Sequence, residues 1–533
     1  MTRPFGILLV WRWASLAAAL LFLNLSLSFE NLWPTPAIVW RGRLSVELAV
    51  CLLLLALRRG RFTRWGLRSL AVVWLLLVLG HYAAVTAPAL YGRDVNLYWD
   101  LRFLPDVAAM VARVAPWWLI VLACSAAAAA CVALYLAIRW AWGRVARALV
   151  SARVRVALIG IAAAVALLFA GHQLNLSVPE LYGFSQPVSV TYARQARLAV
   201  VGLTGSARVA ESPVMNTDLS LVNGADVFLI FVESYGAVSF DRPEFAEPLA
   251  AGRVEVERAA RETNREMVSA FVESPTFGGS SWFAHISLLS GVEVRDHDTN
   301  LALMSEKRDT LAAVFARHGY RTIAMMPGLK LPWPEGSFYG FNRTYNAERL
   351  AYPGPDFGWF AVPDQFSLAW LDQAEVGQPS RPPLFVFFPT LSTHFPFNPT
   401  PPYQPDWPRL LTESKYGAQA IVDAYGDQLD WVDFGPAYVK SVAYAYATIA
   451  GYLRLRAGHD FVMILMGDHQ PPAAVSGEGA SWDVPVHVIA SRGAVLERLT
   501  AHGFTVGLMP ARRPLVRMHE LLPILLEAFG ARE

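Results

Sequence analysis

The chain has 533 residues and a formal net charge of +2, and a hydrophobic fraction of 54% stands beside a charged fraction of only 17%. This composition excludes an entirely soluble protein and indicates membrane segments joined to a soluble part. The small net charge gives no reason to expect nucleic-acid binding. Cysteines stand only at positions 51, 124 and 131, so the remainder of the chain has no disulfide, thiolate metal site or cysteine nucleophile.

Five apolar segments precede residue 175, and we expect each of them to cross a membrane. Most approach the roughly 20 residues that a bilayer core requires, and the second is the shortest. The first is not a cleavable signal peptide, because it lacks an A-x-A-like end and further apolar segments follow it. These segments cover residues 5–29, 44–57, 69–90, 116–138 and 156–174. We therefore predict a five-span membrane domain over residues 1–174.

Arginine-rich loops indicate the orientation of this domain, because positive loops favour the cytoplasmic side. Five arginines follow the second segment and five follow the fourth: Arg58, Arg59, Arg61, Arg64, Arg68, Arg139, Arg144, Arg147, Arg153 and Arg155. With five spans, the amino terminus is then cytoplasmic and everything after about residue 175 lies outside.

A connector over residues 175–220 comes next, punctuated by Pro179, Gly183 and Pro187. Within it, residues 192–203 have the pattern of an amphipathic helix. Such a helix either lies on the membrane surface or is an ordinary interdomain helix, and the pattern does not distinguish the two.

The pattern changes at about residue 221, and we predict an α/β domain with a mostly parallel sheet over residues 221–533. Short β-branched and aromatic runs alternate there with helical stretches. The predicted strands are 227–232, 322–326, 384–389, 461–466 and 484–490, and the predicted helices include 282–290, 310–318, 439–456 and 519–529.

Two of these strands end in metal-ligand side chains. Glu233 directly follows the strand at 227–232, and Asp468 and His469 follow the strand at 461–466. Ligands bind at the carboxyl edge of open α/β sheets, and a carboxylate–imidazole set suits zinc or manganese. The structural alternative is that the acids cap turns or helices and the histidine covers an apolar edge.

Two further places carry reactive side chains. The stretch Gly278-Gly279-Ser280-Ser281 precedes a predicted helix, where a serine is either a simple N-cap or a nucleophile activated by a metal or base. His394 leaves the strand at 384–389 into an aromatic, proline-rich loop, so it is either structural or faces a substrate. If the protein had no catalytic role, each of these candidate residues would need its own structural explanation. An enzyme is therefore favoured over a binding module.

At this point the chain resembles the alkaline phosphatase and sulfatase superfamily, and within it the membrane-anchored phosphoglycerol and phosphoethanolamine transferases, which include the lipoteichoic acid synthases. The family's early metal-ligand glutamate matches Glu233. Its nucleophilic threonine, in a Gly-x-Thr-Ser stretch before a helix, aligns with Gly279-Ser280-Ser281. We choose Ser281 as the nucleophile, because the family's acidic residue near the helix start then falls on His285, and Ser280 remains the alternative.

The same resemblance extends to the late motifs. The family's Asp-His metal pair matches Asp468-His469, and its substrate-side histidine, in a Ser/Thr-x-His-x-Pro-like stretch, matches His394. The tryptophan that grips glycerophosphate in lipoteichoic acid synthases matches Trp333. Glu335 stands where those enzymes have an arginine, and a carboxylate suits ethanolamine or a sugar hydroxyl rather than phosphate. His285 is a further substrate-side candidate, and His487, on the last predicted strand, is a weaker one.

The resemblance implies a metal-dependent enzyme (Mn²⁺ or Zn²⁺) in a bacterial inner membrane with its catalytic domain on the periplasmic or extracellular side. It implies transfer of a phospho-head-group from a membrane phospholipid to an envelope glycan or lipid-linked acceptor through a phospho-serine. The alternatives are a membrane-anchored hydrolase and a catalytically inactive scaffold. Sulfate-ester hydrolysis is disfavoured, because Ser281 is followed by Trp-Phe-Ala without the proline and arginine that formylglycine formation requires.

Overall fold

The computed structural model describes residues 3–33, 35–58, 63–92, 94–174, 183–205, 209–330, 333–358 and 360–531, excepting the side chains of residues 3–9 and 114. It divides into two compact units, the first formed by Met1–Leu90 and Asp94–Leu203, and the second by Tyr91–Arg93 and Thr204–Glu533. Of the residues discussed above, Arg59, Arg61, Pro179 and most of the early connector lie outside the described residues.

The first unit is helical, with one short antiparallel β-hairpin. Its elements are α1 (Arg3–Leu25), β1 (Phe29–Asn31), β2 (Ile38–Trp40), α2 (Val46–Leu57), α3 (Arg64–Tyr91), α4 (Leu97–Asp100), α5 (Leu104–Val114), α6 (Trp117–Leu149), α7 (Ala152–Gln173) and α8 (Val188–Thr204). The helix predicted at 192–203 is therefore present as α8, four residues longer at its amino end.

Three helices of this unit, α3, α6 and α7, are long and apolar enough to cross a membrane. Helix α2 has 12 residues and spans about 18 Å at 1.5 Å per residue, against a hydrocarbon core of about 30 Å. The structure thus supports a membrane-anchored protein. The count of five spans and the orientation of the unit stay predictions.

The second unit is built on a nine-stranded mixed sheet. Its strands are β3 (Asp226–Val232), β4 (Glu266–Glu273), β5 (Arg321–Met326), β6 (Arg343–Asn346), β7 (Leu384–Pro389), β8 (Phe461–Gly467), β9 (Asp483–Ala490), β10 (Thr505–Val506) and β11 (Pro514–Arg517). The order is β10-β4-β9-β8-β3-β7-β5-β6, with β11 also paired to β4. Strands β8, β3, β7, β5 and β6 are mutually parallel, whereas β9 and β10 run in the opposite direction. The prediction of an apolar helical region followed by an α/β domain with a mostly parallel sheet is confirmed.

Helices cover both faces of this sheet. They are α9 (Val238–Asp241), α10 (Pro243–Glu262), α11 (Ser281–Ser290), α12 (His297–Ser305), α13 (Leu311–Arg317), α14 (Gly336–Tyr339), α15 (Ala347–Leu350), α16 (Asp364–Leu371), α17 (Ala418–Gly426), α18 (Gly435–Leu455), α19 (Ala473–Ser476), α20 (Gly493–Ala501) and α21 (Leu521–Phe529). One core lies between the sheet and α11, α13 and α21, and the other between the sheet and α10, α16 and α18. Alternate side chains of the central strand β3 enter the two cores, so β3 is buried along its whole length.

The five strands predicted from the sequence are all present, each within one residue of its predicted ends. Strand β4 and helix α10 were missed. Helix α10 begins with Pro243, contains Pro248 and is rich in charged residues, so it lacks the apolar run by which the other elements were recognised. Strand β4 is buried over Met267–Val272 but follows the polar Thr263-Asn264-Arg265-Glu266 stretch without a turn signal such as Gly or Pro.

Candidate active site

The carboxyl edge of three neighbouring strands forms the candidate site. The register between β3 and β8 pairs Val232 with Gly467, so the next residues, Glu233 and Asp468, leave the sheet side by side. A Cβ on Gly467 would lie 1.8 Å from the Tyr235 carbonyl oxygen, which shows that the two exits approach too closely for any larger residue. The sheet itself therefore sets the spacing of the two carboxylates.

Strand β7 supplies the third exit. The Thr390 amide donates to the Phe231 carbonyl at 2.8 Å, and the Thr390 hydroxyl accepts from the Glu233 amide at 3.2 Å. These bonds extend the β3–β7 pairing one residue beyond the sheet. Thr390 was not identified from the sequence, although it directly follows the predicted strand.

Ser281 enters the site at the first position of α11, after a loop in a constrained conformation. Gly278, Gly279 and Ser280 have φ values of 64°, 141° and 61°. Glycine adopts such angles readily, but Ser280 is held there at a cost on the order of 1 kcal/mol. The Ser280 side chain makes no capping bond to the helix, so the simple N-cap explanation does not hold for it.

The Ser281 hydroxyl lies within hydrogen-bond distance of two predicted metal ligands. It donates to Glu233 Oε2 at 2.9 Å, and its oxygen lies 3.1 Å from His469 Nε2. Ser234, which the sequence did not single out, donates its hydroxyl to Glu233 Oε1 at 3.1 Å. The structure thus brings Glu233, Ser281 and His469 together, as the motifs predicted.

Asp468 is held rigidly but has one oxygen to spare. Its Oδ1 accepts from the Ser234 amide at 2.8 Å and from the His469 amide at 2.7 Å. Its Oδ2 is buried without a hydrogen-bond partner and lies 3.6 Å from His469 Nε2. A buried carboxylate oxygen left unpaired is costly, and buried charges of this kind are paired or bind metals.

The orientation of His469 follows from its second ring nitrogen. Nδ1 lies 2.7 Å from the Gln470 carbonyl oxygen, which only accepts, so Nδ1 carries a hydrogen. In the neutral ring the lone pair is then on Nε2, which faces Ser281, Glu233 and Asp468. An imidazole whose far nitrogen donates to a carbonyl is the arrangement that metal-ligating histidines have.

The acidic side chains of this cluster outnumber the basic ones, and burial and mutual interaction shift their pKa values. Burial raises the pKa of Asp468 to about 8, and the charge of Glu233 adds to the effect. Burial opposes charge on Glu233 as well, but His469 and His394 hold the pKa of Glu233 below its usual range. For His469, burial is outweighed by Asp468 and Glu233, which raise its pKa to about 9. Two acids thus share one basic side chain in a site from which water is largely excluded.

Several observations fit a divalent cation at this place. Glu233, Asp468 and His469 each offer a ligand atom, and these atoms all lie within 4.8 Å of one another. All three residues are buried, and Asp468 Oδ2 has no other partner. The donor set of two carboxylates and one imidazole suits zinc or manganese and is poor in the soft ligands that copper(I) prefers.

His394 stands on the loop that follows β7. Its Nδ1 donates to the Phe395 carbonyl oxygen at 2.6 Å, and its ring packs edge-on against Phe360 with centroids 4.9 Å apart. His394 also lines a small cavity of about 20 Å³ together with aromatic and proline side chains. Its Nε2 is therefore the ring nitrogen left for a ligand, and its charge acts on Glu233.

Asp364, which sequence reasoning missed, fixes the start of the His394 loop. Its carboxylate accepts from the Leu391 amide at 2.7 Å and from the Ser392 amide at 3.0 Å, and its own amide donates to the Ser392 hydroxyl at 3.2 Å. Burial raises the pKa of Asp364 to about 6 despite these bonds. No local sequence pattern predicts this role, because Asp364 has the position of an ordinary acid in the first turn of α16.

The substrate-side prediction for His487 is wrong. Its ring is fully buried in the middle of β9, with Nδ1 2.6 Å from the Ser269 hydroxyl and Nε2 3.1 Å from the Tyr235 hydroxyl. Burial lowers the pKa of His487 to about 3, so the ring is neutral. The residue is a core histidine, because β9 is an inner strand that is covered on both of its faces.

His285 lies one helical turn after Ser281, between Phe231 and Phe387 at centroid distances of 4.6 and 5.4 Å. It is 9% exposed, and its Nε2 has no hydrogen-bond partner. Burial lowers the pKa of His285 to about 3, so it is a neutral group beneath the site and does not replace the charge of a carboxylate. A substrate contact through His285 stays a prediction.

Trp333 and Glu335 follow β5. Trp333 is half-buried and packs on Tyr339 with centroids 5.3 Å apart, whereas Glu335 is exposed. Their predicted contact with a head group stays a prediction. Closer to the nucleophile in sequence, Trp282 is 37% exposed and its ring lies 5.6 Å from that of His297, and neither residue was singled out from the sequence.

Comparison with known proteins agrees with this architecture. The family model described as Sulfatase matches residues 285–482, a range that contains His394, Asp468 and His469 but not Glu233 or Ser281. This match lies within the second unit and agrees with the resemblance of the sequence to the sulfatase superfamily. Among curated proteins, no significant sequence match was found.

Three solved structures illustrate the similarity. The lipoteichoic acid synthase LtaP from Listeria monocytogenes is 12% identical over 62% of this chain and 80% of its own, with a TM-score of 0.37. The Streptococcus pyogenes phosphoglycerol transferase GacH, in complex with sn-glycerol-1-phosphate, is 12% identical over 64% and 82%, with a TM-score of 0.36. The lipooligosaccharide phosphoethanolamine transferase EptA from Neisseria meningitidis is 14% identical over 91% and 87%, with a TM-score of 0.45. Likenesses at these values carry no inference on function.

Proposed function

We propose that this protein is a metal-dependent, membrane-anchored transferase that moves a phospho-head-group from a membrane phospholipid to an envelope acceptor through a phospho-Ser281 intermediate. The observation that carries the proposal is the position of the Ser281 hydroxyl, 2.9 Å from Glu233 and 3.1 Å from His469. A serine at a helix start, against a buried acid–imidazole cluster, is the arrangement of an activated nucleophile. The sulfatase-family match over residues 285–482 supports the same class of chemistry.

Glu233, Asp468 and His469 would hold the metal. When bound, a divalent cation would lower the pKa of the serine hydroxyl and offset the charge of the phosphate under attack. The residues of the chain supply position: Ser234 and His469 amides fix Asp468, and the Gln470 carbonyl fixes the His469 ring. The amino end of α11 adds amide dipoles that favour a phosphate bound beside Ser281.

The reaction consists of two displacements at phosphorus. In the first, the Ser281 hydroxyl releases its proton to water and Oγ forms a P–O bond, while the bond from phosphorus to the diacylglycerol oxygen breaks. That oxygen leaves as a hydroxyl after taking a proton, which we assign to His394 Nε2. In the second, an acceptor hydroxyl gives its proton to His394 Nε2 and attacks the same phosphorus, the bond to Ser281 breaks, and Ser281 Oγ takes a proton back from water.

Two features bear on the substrate. Trp333 would pack on the head group or on a sugar ring, and the exposed Glu335 would meet a cationic group such as ethanolamine. Sulfate-ester hydrolysis is disfavoured, because the chain after Ser281 reads Trp-Phe-Ala. The orientation predicted from the arginine-rich loops would put this reaction on the periplasmic or extracellular side of a bacterial inner membrane.

The test is intact-mass measurement of the purified full-length protein with Mn²⁺ or Zn²⁺ and phospholipids that carry distinguishable head groups. Wild type should gain the mass of one phospho-head-group only with metal, and the size of the gain identifies the group. Ser281→Ala should show no gain. Ser280→Gly is the matched control, because glycine keeps the positive φ of position 280 while the hydroxyl is lost, and it should still form the adduct.

Other outcomes contradict the proposal. If no adduct forms and free phosphorylated head group accumulates with wild type but not with Ser281→Ala, the protein is a hydrolase with the same site. An adduct that persists in Ser281→Ala and disappears in Ser280→Gly moves the nucleophile by one residue. A protein that binds no metal and turns over no phospholipid is an inactive scaffold.

A further inference from the structure

A cavity of about 330 Å³ lies within the first unit, among α1, the β1–β2 hairpin, α3 and α6. Its walls are built largely from apolar side chains: Phe22, Leu25, Phe29, Val78, Leu79 and Leu134. Helices α3 and α6 both have the length and apolarity to cross a membrane. The medium around such helices in a bilayer is hydrocarbon, so an apolar cavity between them would open to lipid.

The few polar groups in the cavity wall are hydrogen-bonded within the protein. The Ser26 hydroxyl donates to the Leu23 carbonyl at 2.8 Å and accepts from the Trp74 indole at 3.0 Å. The Trp40 indole donates to the Leu25 carbonyl, and the Tyr82 hydroxyl donates to the Pro36 carbonyl, both at 2.9 Å. A cavity whose polar groups are already satisfied does not hold ordered water and favours an apolar occupant.

The rim of the cavity has the character of a membrane–water interface. Trp40 and Tyr82 are 51% and 38% exposed, and tryptophan and tyrosine concentrate at the level of lipid head groups. Arg41 follows Trp40 and lies 3.1 Å from Glu30, and Arg43 lies 2.6 Å from the same carboxylate. Glu30 and Arg41 directly follow Phe29 and Trp40, which line the cavity, and two guanidinium groups against one acid leave one positive charge there, which suits a phosphate.

We propose that this cavity binds one acyl chain of a membrane glycerophospholipid, whose phosphate lies beside Arg41 and Arg43. The volume of about 330 Å³ accommodates a chain segment of roughly ten carbon-sized groups, if each takes about the 30 Å³ of a water molecule in the liquid. This site is distinct from the cluster around Ser281 and does not rest on the function proposed for that cluster.

The test uses the full-length protein in nanodiscs of phosphatidylethanolamine and phosphatidylglycerol, with a trace of phosphatidylglycerol that carries a diazirine in the middle of one acyl chain. After photolysis, the labelled peptides are identified by mass spectrometry. We expect label on the walls contributed by α1 and α3. Leu134→Trp places a larger side chain in the cavity from α6, and it should reduce the label on Val78 and Leu79 by about tenfold.

Leu136→Trp is the matched control, since Leu136 is on the same helix and 54% exposed, and it should leave the labelling within about twofold of wild type. Leu79→Trp fills the cavity from α3 and should likewise reduce the label on α1, so the test stands even if Leu134→Trp does not fold. Equal labelling in the filled variants and in Leu136→Trp would overturn the proposal. Ser281→Ala should keep the label while transfer is lost, which separates the failure of either proposal from the other.

Discussion

The two ends of strand β3 each carry a buried acid, and the two acids have opposite surroundings. Asp226, at the start of the strand, accepts from Arg381 at 2.7 and 2.5 Å, from the Leu384 amide at 2.8 Å and contacts His459 Nε2 at 2.7 Å. Glu233, after its end, has contacts from Thr390, Ser234, Ser281 and His469. The first acid has a permanently charged guanidinium as its partner, whereas none of the partners of the second is permanently charged.

This difference separates a structural acid, Asp226, from a candidate metal ligand, Glu233. Burial acts on Asp226 as it does on Glu233, but His459 and Arg381 satisfy both oxygens of Asp226 and lower its pKa. At the other end a second carboxylate, Asp468, is added instead of a guanidinium, and one of its oxygens has no partner. Burial of an acid therefore does not by itself distinguish a structural role from metal binding. A buried cluster with an excess of acid and an open ligand atom is the feature that indicates a cation site.

The largest effect expected from this comparison is on Glu233→Gln. The change removes one of two like-charged acids from the cluster, and it should lower turnover by about a thousandfold, equivalent to about 4 kcal/mol. Bound metal, measured by elemental analysis, should fall with it. Turnover that remains near that of wild type would show that Glu233 is not a metal ligand.

At the opposite end, Asp226→Asn should destabilise the fold by about 3 kcal/mol, because it leaves the largely buried side chain of Arg381 without its counter-charge. Its partners lower the pKa of Asp226, so the stabilisation is present at neutral pH and is lost as the pH falls through that lowered pKa. Thermal unfolding of the full-length protein measures the change. Asp460→Asn, which affects the more exposed Asp460–Arg492 pair, should cost less than about 1 kcal/mol.

The third prediction concerns the pH dependence of metal binding. Without metal, Asp468 and His469 have pKa values raised to about 8 and about 9, so below pH 8 a metal must displace a proton from each. Affinity should therefore weaken by up to about a hundredfold for each unit that the pH falls from 8 to 6. Calorimetry in buffers of different ionisation enthalpy measures the protons released on binding. Binding without proton release would contradict the assignment of His469 as a ligand.

The smallest effect is expected at Asp364→Asn. An asparagine has one acceptor oxygen for the two amides of Leu391 and Ser392, so the loop that carries His394 loses a fixed position. We expect kcat to fall by about tenfold with metal content unchanged. Ser367→Ala, on the same helix, is the control and should leave kcat unaltered. Loss of metal in Asp364→Asn would mean that the change disturbs the whole sheet edge instead.

Much of the fold was predictable because apolar runs of the right length have few alternatives. The strands β3, β5, β7, β8 and β9 were recognised as short apolar runs bounded by polar residues, and three predicted apolar segments correspond to membrane-length helices. Helix α10 was not recognised, because its stability comes from packing of Phe245, Leu249 and Val256 into the core and not from a continuous apolar pattern.

The candidate site, like the fold, was predictable from the sequence only in part. The sequence by itself determined which residue types stand at the strand ends, since Glu233, Asp468 and His469 each follow a buried run directly. It did not determine that β3 and β8 are neighbours, or that Val232 pairs with Gly467, and only this pairing brings the two acids together. Sequence alternation likewise left the direction of His487 open, and the position of β9 between β4 and β8 turned that ring into the core.

What the sequence determined about this protein is therefore the set of local elements and the reactive residues at their ends, because both depend on short-range patterns of burial. What only the tertiary structure decided is which ends meet. Asp364 illustrates the point: its carboxylate lies 27 and 28 residues from the amides that it holds, and no local pattern specifies a partner at that separation. Long-range pairing across the sheet converts separate motifs into one site.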